Sequence, residues 1–303
     1  MRIKNKIFLI ILVFFYAGNL FAQTGGNSGL AFLKFGFGAR NIAMGDAGTA
    51  IANDVTSLYY NPARLAGSEV SEVMFMHNSW IQDVRSEMIG AKSTLFGLPI
   101  AIGFSVASID NIEVRTVAGE PDSKFNATYF SGSFSTGFKI INGLAAGITI
   151  KYLYENIFVD EGNGLGLDLG LFYRTAIPGL NISASFRNLG SMNALRNVET
   201  KLPTELRVGT SYNFELPDSK LDFTAGGEYL NYTRDSENHF NLGGEARYNK
   251  VFALRAGYQT GYDSKGFTAG IGLTWGNLIL DYAYIPFKLG LGTANMFSIQ
   301  FRF

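Results

Sequence analysis

The chain has 303 residues, no cysteine, two histidines, and 25 acidic residues balanced by 25 basic ones. Without cysteine, a disulfide scaffold, a lipid-anchored cysteine and a cysteine nucleophile are excluded, and the balanced charge argues against a nucleic-acid partner. Charged residues make up only 17% of the chain, whereas aromatic residues reach 14% and glycines number 36, which is typical of a sheet that faces lipid.

The first 22 residues are predicted to be a secretory signal peptide. Three basic residues precede an apolar run from Ile7 to Tyr16, and we expect cleavage after Ala22. The run is shorter than the roughly 20 residues that a membrane-spanning helix needs, and no later segment offers such a run. A protein that crosses the membrane with helices is therefore not expected.

The residues that follow, 23–67, are predicted to form a compact segment ahead of the strands. Asp54 is expected to cap a short helical turn, and the turn Asn61, Pro62 and Ala63 takes the chain out of helix. Five apolar side chains in this segment favour burial over a disordered tail: Ile51, Leu58, Tyr59, Tyr60 and Leu65. Four glycines permit tight backbone packing: Gly36, Gly38, Gly45 and Gly48.

From residue 69 onward the sequence predicts fourteen strands. Period-2 alternation is clearest in "GFTAGIGLTW" (266–275) and poorest in the first two segments. The predicted strands are 69–80, 84–96, 100–108, 125–138, 144–158, 164–175, 180–189, 203–214, 221–232, 237–248, 251–260, 266–275, 277–286 and 295–303.

The kind of polar face distinguishes a barrel from a secreted β-sandwich, which also alternates apolar and polar residues. Here that face consists mainly of Gly, Ser, Thr and Ala, which suit the crowded interior of a closed barrel. Alternate connections are short and long, as in outer-membrane barrels. The sequence thus predicts an all-β fold: a 14-stranded antiparallel transmembrane β-barrel (68–303) with the N-terminal segment (23–67) as a hatch, or plug, in the lumen.

The last residues, "MFSIQFRF", alternate strictly. Phe297, Ile299, Phe301 and Phe303 fall on one face, and polar residues fall on the other. A strand that ends in this way is expected to face lipid and to be the signal that the outer-membrane insertion machinery reads. The expected location is the outer membrane of a Gram-negative-type bacterium.

If the apolar face points outward, ten charged side chains point into the lumen. Because both signs are present, we interpret them as structural ion pairs and not as a proton relay or a selectivity ring. Apart from Leu153, Phe172 and Leu230, the predicted lumen is small, polar or charged. The ten charges are Lys151, Asp168, Arg187, Arg207, Glu228, Glu245, Arg247, Arg255, Asp281 and Arg302.

The run "GARNIAMGDAGTAIANDVTSLYYNPARLA" resembles the start of the PorV/PorQ family of outer-membrane proteins, and its Asn-Pro-Ala element is similar to that of the wider FadL-like transporters. This resemblance implies that the run is the hatch of a fourteen-stranded barrel. Arg64 departs from the glycine expected after Asn61, Pro62 and Ala63.

Three functions follow as hypotheses. The PorV/PorQ resemblance implies a non-enzymatic barrel that serves type IX secretion, whose components and cargo would be partners of the rim, chiefly at 109–124 and 190–202. The alternative is a FadL-like channel for hydrophobic small molecules, which the polar lumen makes less favourable. An enzyme is not expected, because neither Ser79 with His77 nor Ser236 with His239 has an orienting partner. No cofactor and no metal site are expected.

Overall fold

The computed structural model describes residues 28–67 and 70–303, so the predicted signal peptide lies outside the described residues. Fourteen strands form one closed barrel, and two further strands, β8 and β9, form a small hairpin in one connection. The strands are β1 (Glu72–Ser79), β2 (Val84–Leu95), β3 (Leu98–Val114), β4 (Ser123–Ile141), β5 (Leu144–Ile157), β6 (Asp160–Arg174), β7 (Leu180–Met192), β8 (Ala194–Leu195), β9 (Val198–Glu199), β10 (Glu205–Leu216), β11 (Leu221–Tyr232), β12 (Glu237–Tyr248), β13 (Phe252–Thr260), β14 (Phe267–Trp275), β15 (Leu278–Pro286) and β16 (Thr293–Arg302).

The barrel closes because its last strand pairs with its first. β16 and β1 are antiparallel, with Arg302 opposite Glu72 and Phe301 opposite Val73. Every other barrel strand pairs with its neighbour in the chain, and β7 pairs with β10 across the hairpin. The predicted fourteen-stranded antiparallel barrel is confirmed, and closure gives every strand of the described barrel a partner on each side.

The outer face is apolar along each strand, as the alternation predicts. In β16 the side chains of Phe297, Ile299 and Phe301 are exposed on the outside, as is Phe303 just after it, while Ser298 and Gln300 are buried in the lumen. Such a surface is favourable only against hydrocarbon, because exposed apolar side chains order water. The role of this strand in insertion stays a prediction.

The two ends of the barrel differ. At one end of the barrel, where β1 begins and β16 ends, the connections between strands have two to five residues. At the other end they have up to twelve. We call these the short-turn end and the long-loop end. In outer-membrane barrels the short turns lie in the periplasm.

Two predicted long connections are shorter than expected. β3 and β4 continue past a β-bulge between Ile109 and Ile112, so the connection predicted at 109–124 is reduced to 115–122. β7 extends to Met192, and the connection predicted at 190–202 contains the β8–β9 hairpin. The prediction was wrong there because a bulge breaks the period of two, and both faces of an extension beyond the membrane are solvated.

The segment 28–67 lies inside the barrel. It begins at the long-loop end, where the Gly29 amide donates to the Lys201 carbonyl, and it ends at the short-turn end against β4, β5 and β6. Its short elements are a 3₁₀ turn (Ala31–Lys34), three helical turns (Ala39–Ala43, Gly48–Ile51 and Ser57–Tyr60) and a second 3₁₀ turn (Pro62–Gly67). No helix in the described part of the chain is long and apolar enough to cross a membrane. We call residues 28–67 the hatch.

Candidate functional site: the plugged lumen

The "NPA" turn of the hatch is seated in a socket made of barrel glycines. A Cβ atom at Gly147 would lie 2.3 Å from the Ala63 nitrogen, and one at Gly137 would lie 2.6 Å from the Pro62 oxygen. At Gly170 it would lie 2.0 Å from the Asn61 side-chain oxygen. Since real Cβ atoms do not approach so closely, only glycine allows this backbone-to-backbone contact.

Asn61 holds this turn in shape and fixes it to the wall. Its side-chain oxygen accepts a hydrogen bond from the Ala63 amide at 3.0 Å, and its side-chain nitrogen donates to the Leu171 carbonyl at 2.9 Å. Its backbone is extended, as a residue before proline prefers, which ends the helical turn Ser57–Tyr60. Asp54 accepts from the Thr56 amide at 2.9 Å just ahead of that helical turn.

The four predicted hatch glycines occupy turns and close contacts. Gly36, Gly38 and Gly45 have φ between 71° and 79°, and a Cβ at Gly48 would lie 2.4 Å from the Tyr60 ring. Gly45 also faces a second socket, in which a Cβ at Gly257 would lie 2.0 Å from the Gly45 nitrogen. The hatch is thereby seated on opposite sides of the barrel.

Five of the ten predicted lumen charges belong to a first buried network. Lys151 pairs with Asp168 at 2.6 Å, and Arg187, stacked on Tyr59, pairs with Glu205. Arg207 reaches Glu228 at 2.9 Å, Glu205 at 3.3 Å and Asp46 of the hatch at 3.2 Å. Charges in such low-dielectric surroundings persist because each has an opposite partner.

Four more of the predicted lumen charges form a second network, which is centred on Glu245. This carboxylate accepts from Arg255 at 2.6 Å, Arg247 at 2.8 Å and Arg40 of the hatch at 2.9 Å, and Arg255 also reaches Asp281 at 2.7 Å. The tenth charge, Arg302, lies 3.3 Å from Glu72, which also pairs with Lys92. All ten therefore lie in ion pairs, and two of the networks tie the hatch to the wall.

Five partners in these networks were not predicted from the sequence. Glu205 could have been predicted to face the lumen, because it lies two residues before Arg207 and therefore on the same face of its strand. Asp46 and Arg40 lie in short helical and turn elements without periodicity, so only the folded chain places them. The remaining two, Glu72 and Lys92, lie in the strands whose alternation was poorest.

Two tyrosines of "SLYY" turn their hydroxyl groups toward the hatch itself. The Tyr60 hydroxyl donates to Asp46 at 2.5 Å, and the Tyr59 hydroxyl donates to the Leu33 carbonyl at 2.8 Å. Burial raises the pKa of both phenols above the ordinary value, and at Tyr60 the Asp46 carboxylate adds to the increase. Both phenols therefore stay protonated and act as donors.

A chamber lies between the hatch and strands β1 to β5. Six hatch side chains form one wall, and the barrel forms the other. On the barrel wall, Met76 and Met88 lie beside Ser105, Ser131 and Ser133, with Met88 directly opposite Ser105 in the β2–β3 ladder. The free space is about 40 Å³, room for about three water molecules. The hatch residues are Phe32, Leu33, Phe35, Phe37, Leu58 and Tyr59.

This chamber corrects the prediction that the lumen is small, polar or charged apart from three residues. Met74, Met76, Met88, Ile285 and Met296 are also buried in the interior and belong to one apolar cluster with the hatch. The signal was missed because β1 ("EVMFMHNS") carries apolar residues on both faces, one toward lipid and one toward the hatch. Because both faces of β1 contact apolar surroundings, its apolar and polar residues do not alternate clearly.

A wider cavity of about 430 Å³ lies on the short-turn side of the hatch, and we call it the vestibule. It shares no lining residue with the chamber. Arg64 lines it, donates to the Ala52 carbonyl at 2.8 Å and stacks on Phe172. Burial, with the charges of Arg40 and Arg174, lowers the pKa of Arg64 to about 10, so the guanidinium is charged at neutral pH.

The histidine and serine pairs are not assembled for catalysis. His77 lies on the outer face of β1, 3.1 Å from Glu87, and His239 is buried against Tyr262 with ring centroids 3.6 Å apart. Neither histidine is hydrogen-bonded to a serine in residues 28–67 and 70–303. Within those same ranges no group of three or more acidic or histidine side chains is placed to hold a metal ion.

Comparison with known proteins gives fold neighbours only. No family model and no curated protein matches this chain. The solved structure of the P. putida toluene transporter TodX aligns with a TM-score of 0.61 and 12% identity, over 88% of this chain and 96% of that one. The CymD monoaromatic hydrocarbon channel aligns with a TM-score of 0.58 and 12% identity, over 88% and 96%.

At these identities the likeness shows the fold. This fold is that of the β-barrels of the Gram-negative-type outer membrane, and the apolar outer face of this chain fits it.

Proposed function

We propose that this chain is a non-enzymatic, FadL-like outer-membrane channel for small hydrophobic molecules. Residues 23–67 would form its hatch, 68–303 its barrel, and 1–22 a signal peptide removed on export. The observation that carries the proposal is the chamber, whose aromatic and methionine side chains face inward in a barrel whose lumen also holds two ionic networks. Apolar side chains facing a cavity favour an apolar ligand.

The chamber is too small for an aromatic ring unless a side chain moves, so passage requires motion of the hatch. Its two parts differ in how they are held. Residues 39–67 are seated in the glycine sockets and carry Arg40 and Asp46 of the ion networks. We call residues 29–37 the strap. At its C-terminal end lie Gly36 and Gly38, which have positive φ, and Lys34 ties the strap to Asp235 in the connection after β11 at 2.8 Å. The strap is the part that we expect to move.

The fold neighbours support this proposal, since the two aligned structures are named as a toluene transporter and a monoaromatic hydrocarbon channel. In the ladders that join β1, β2, β3 and β4, pairing is continuous apart from the bulge after Ile109. The wall beside the chamber is therefore closed in this conformation, which again assigns opening to the strap.

A chamber-filling substitution tests the channel function. We expect Ser105→Phe to abolish uptake of labelled toluene in a strain without its own hydrocarbon channels, because the new ring fills the chamber. Val106→Phe is the matched control: it adds the same ring one residue away on the lipid-facing side and should leave uptake unchanged. Wild-type uptake no faster than that of the empty vector, with the barrel shown to be inserted by surface labelling, would contradict the proposal.

A second candidate is a role in type IX secretion, which the hatch run's resemblance to PorV/PorQ proteins implies. One structural observation favours it. Beyond the bulge, Ile112–Val114 pairs with Ser123–Phe125 as a two-stranded extension that β5 does not cover, and the β8–β9 hairpin also lies at the long-loop end. These two elements offer a rim surface to secreted proteins.

Deleting the gene tests this second candidate. We expect export and surface attachment of type IX cargo to fall, and a variant with residues 112–125 replaced by a short turn should reproduce the defect while its barrel still inserts. Normal cargo export in the deletion strain would rule this role out and would leave the channel proposal untouched.

A further inference from the structure

Resting on the proposed channel function, we infer that the chamber selects aromatic molecules that carry a neutral hydroxyl group, such as phenols, over plain hydrocarbons. The inference comes from the chamber wall opposite the hatch. Ser105 and Ser131 face each other across β3 and β4, and Ser133 follows on the same face of β4. Together they place three hydroxyl groups side by side.

These hydroxyl groups have no protein partner. Ser131 is 3% exposed, Ser105 and Ser133 are half-buried, and none of the three is hydrogen-bonded to another group in the described part of the chain. A buried hydroxyl without a protein partner, as at Ser131, is unfavourable unless water or a ligand satisfies it. The free space beside them holds only about three water molecules.

The wall suits a neutral hydroxyl better than a carboxylate. Lys151 is the cation that lines the chamber, and it is already held by Asp168 at 2.6 Å and by Asn188 at 2.8 Å. A carboxylate would thus enter without a free positive charge to balance it. Serine hydroxyls both donate and accept, which matches a phenol hydroxyl.

The facing wall suits a ring. Phe37 stacks on Tyr59 with centroids 5.2 Å apart, and Phe35 stacks on Trp80 at 5.0 Å, so the strap's aromatic side chains can hold planar groups. A bound ring that takes the place of a strap phenylalanine keeps the aromatic contacts and brings its hydroxyl to the serines. The chamber therefore has aromatic side chains on the hatch side and hydroxyl groups on the barrel side.

The test measures phenol, toluene and benzoate binding to the full-length mature chain in lipid nanodiscs by calorimetry, corrected with empty nanodiscs. Phenol and toluene have nearly the same shape. In a triple variant, S105A, S131A and S133A, we expect phenol affinity to fall about tenfold while toluene affinity is unchanged or higher. Benzoate should bind more weakly than phenol to the wild type.

The matched control is the pair Ser183→Ala and Ser185→Ala, two buried lumen serines without hydrogen bonds that do not line the chamber. It should leave both affinities unchanged. If the triple variant does not insert, S131A alone is used with the same expectation in direction.

An unchanged ratio of phenol to toluene affinity in the serine variants would overturn the inference while leaving the channel function intact. Benzoate binding tighter than phenol would also overturn it. If the wild type binds neither phenol nor toluene and takes up neither, the channel function itself fails.

Discussion

Replacing Gly147 with valine should unseat the hatch. The new side chain would meet the Ala63 nitrogen and the Pro62 carbonyl carbon, each 2.3 Å from where its Cβ must lie, and backbone atoms cannot rotate away as a side chain would. We expect a loss of about 3 kcal/mol or more, the upper end of overpacking costs, together with trypsin cleavage after Arg64. Thermal melting and limited proteolysis of the purified barrel measure both effects.

Gly244→Val is the matched control for this prediction. Gly244 lies in the middle of β12 on the outer face, and the nearest atom to its added Cβ is 4.0 Å away. Because valine favours strands, this variant should be as stable as the wild type or more so. A Gly147→Val barrel that resists trypsin at Arg64 and melts at the wild-type temperature would show that the hatch is not seated as described.

Arg207→Met should be the most destabilising single change among the lumen charges. Arg207 is fully buried and serves three carboxylates, those of Asp46, Glu205 and Glu228, so its loss leaves excess negative charge in a low-dielectric interior. Breaking a buried pair from one side costs about 3–5 kcal/mol. We expect a loss of this size in denaturant unfolding, and release of the hatch near Asp46.

A second substitution separates charge from packing in this network. Adding Glu228→Gln to Arg207→Met removes one unpaired carboxylate and should restore part of the stability, because the two side chains interact directly. Arg115→Met, which breaks the exposed pair with Glu113, should have no measurable effect. If Arg207→Met also left the free energy of unfolding unchanged, the buried network would contribute nothing to holding the hatch.

The architecture could be predicted because its signal repeats in nearly every strand. A lipid-facing residue at every second position, as in Phe297, Ile299 and Phe301, is imposed by the bilayer and can be recognised without any tertiary contact. The ten lumen charges could be assigned to a face by the same rule. Outside the bilayer, as beyond the bulge at Ile109, the side chains need not alternate between apolar and polar, and there the predicted strand ends were wrong.

The partners of those charges could not be predicted, because each network joins residues far apart in the chain. Asp46 meets Arg207, and Arg40 meets Glu245, only after the hatch has entered the barrel. The apolar chamber was missed for the same reason. Its walls come from the hatch and from β1 to β5, and the space between them exists only when the two are packed together.

The sequence by itself determined that the chain is a β-barrel with an apolar exterior, since one periodic pattern per strand is enough to assign each side chain to lipid or lumen. Only the tertiary structure decided what the lumen contains. Glycine sockets, shared carboxylates and a chamber with serine on one side and aromatic rings on the other depend on distances between distant segments. Local periodicity carries no information about those distances.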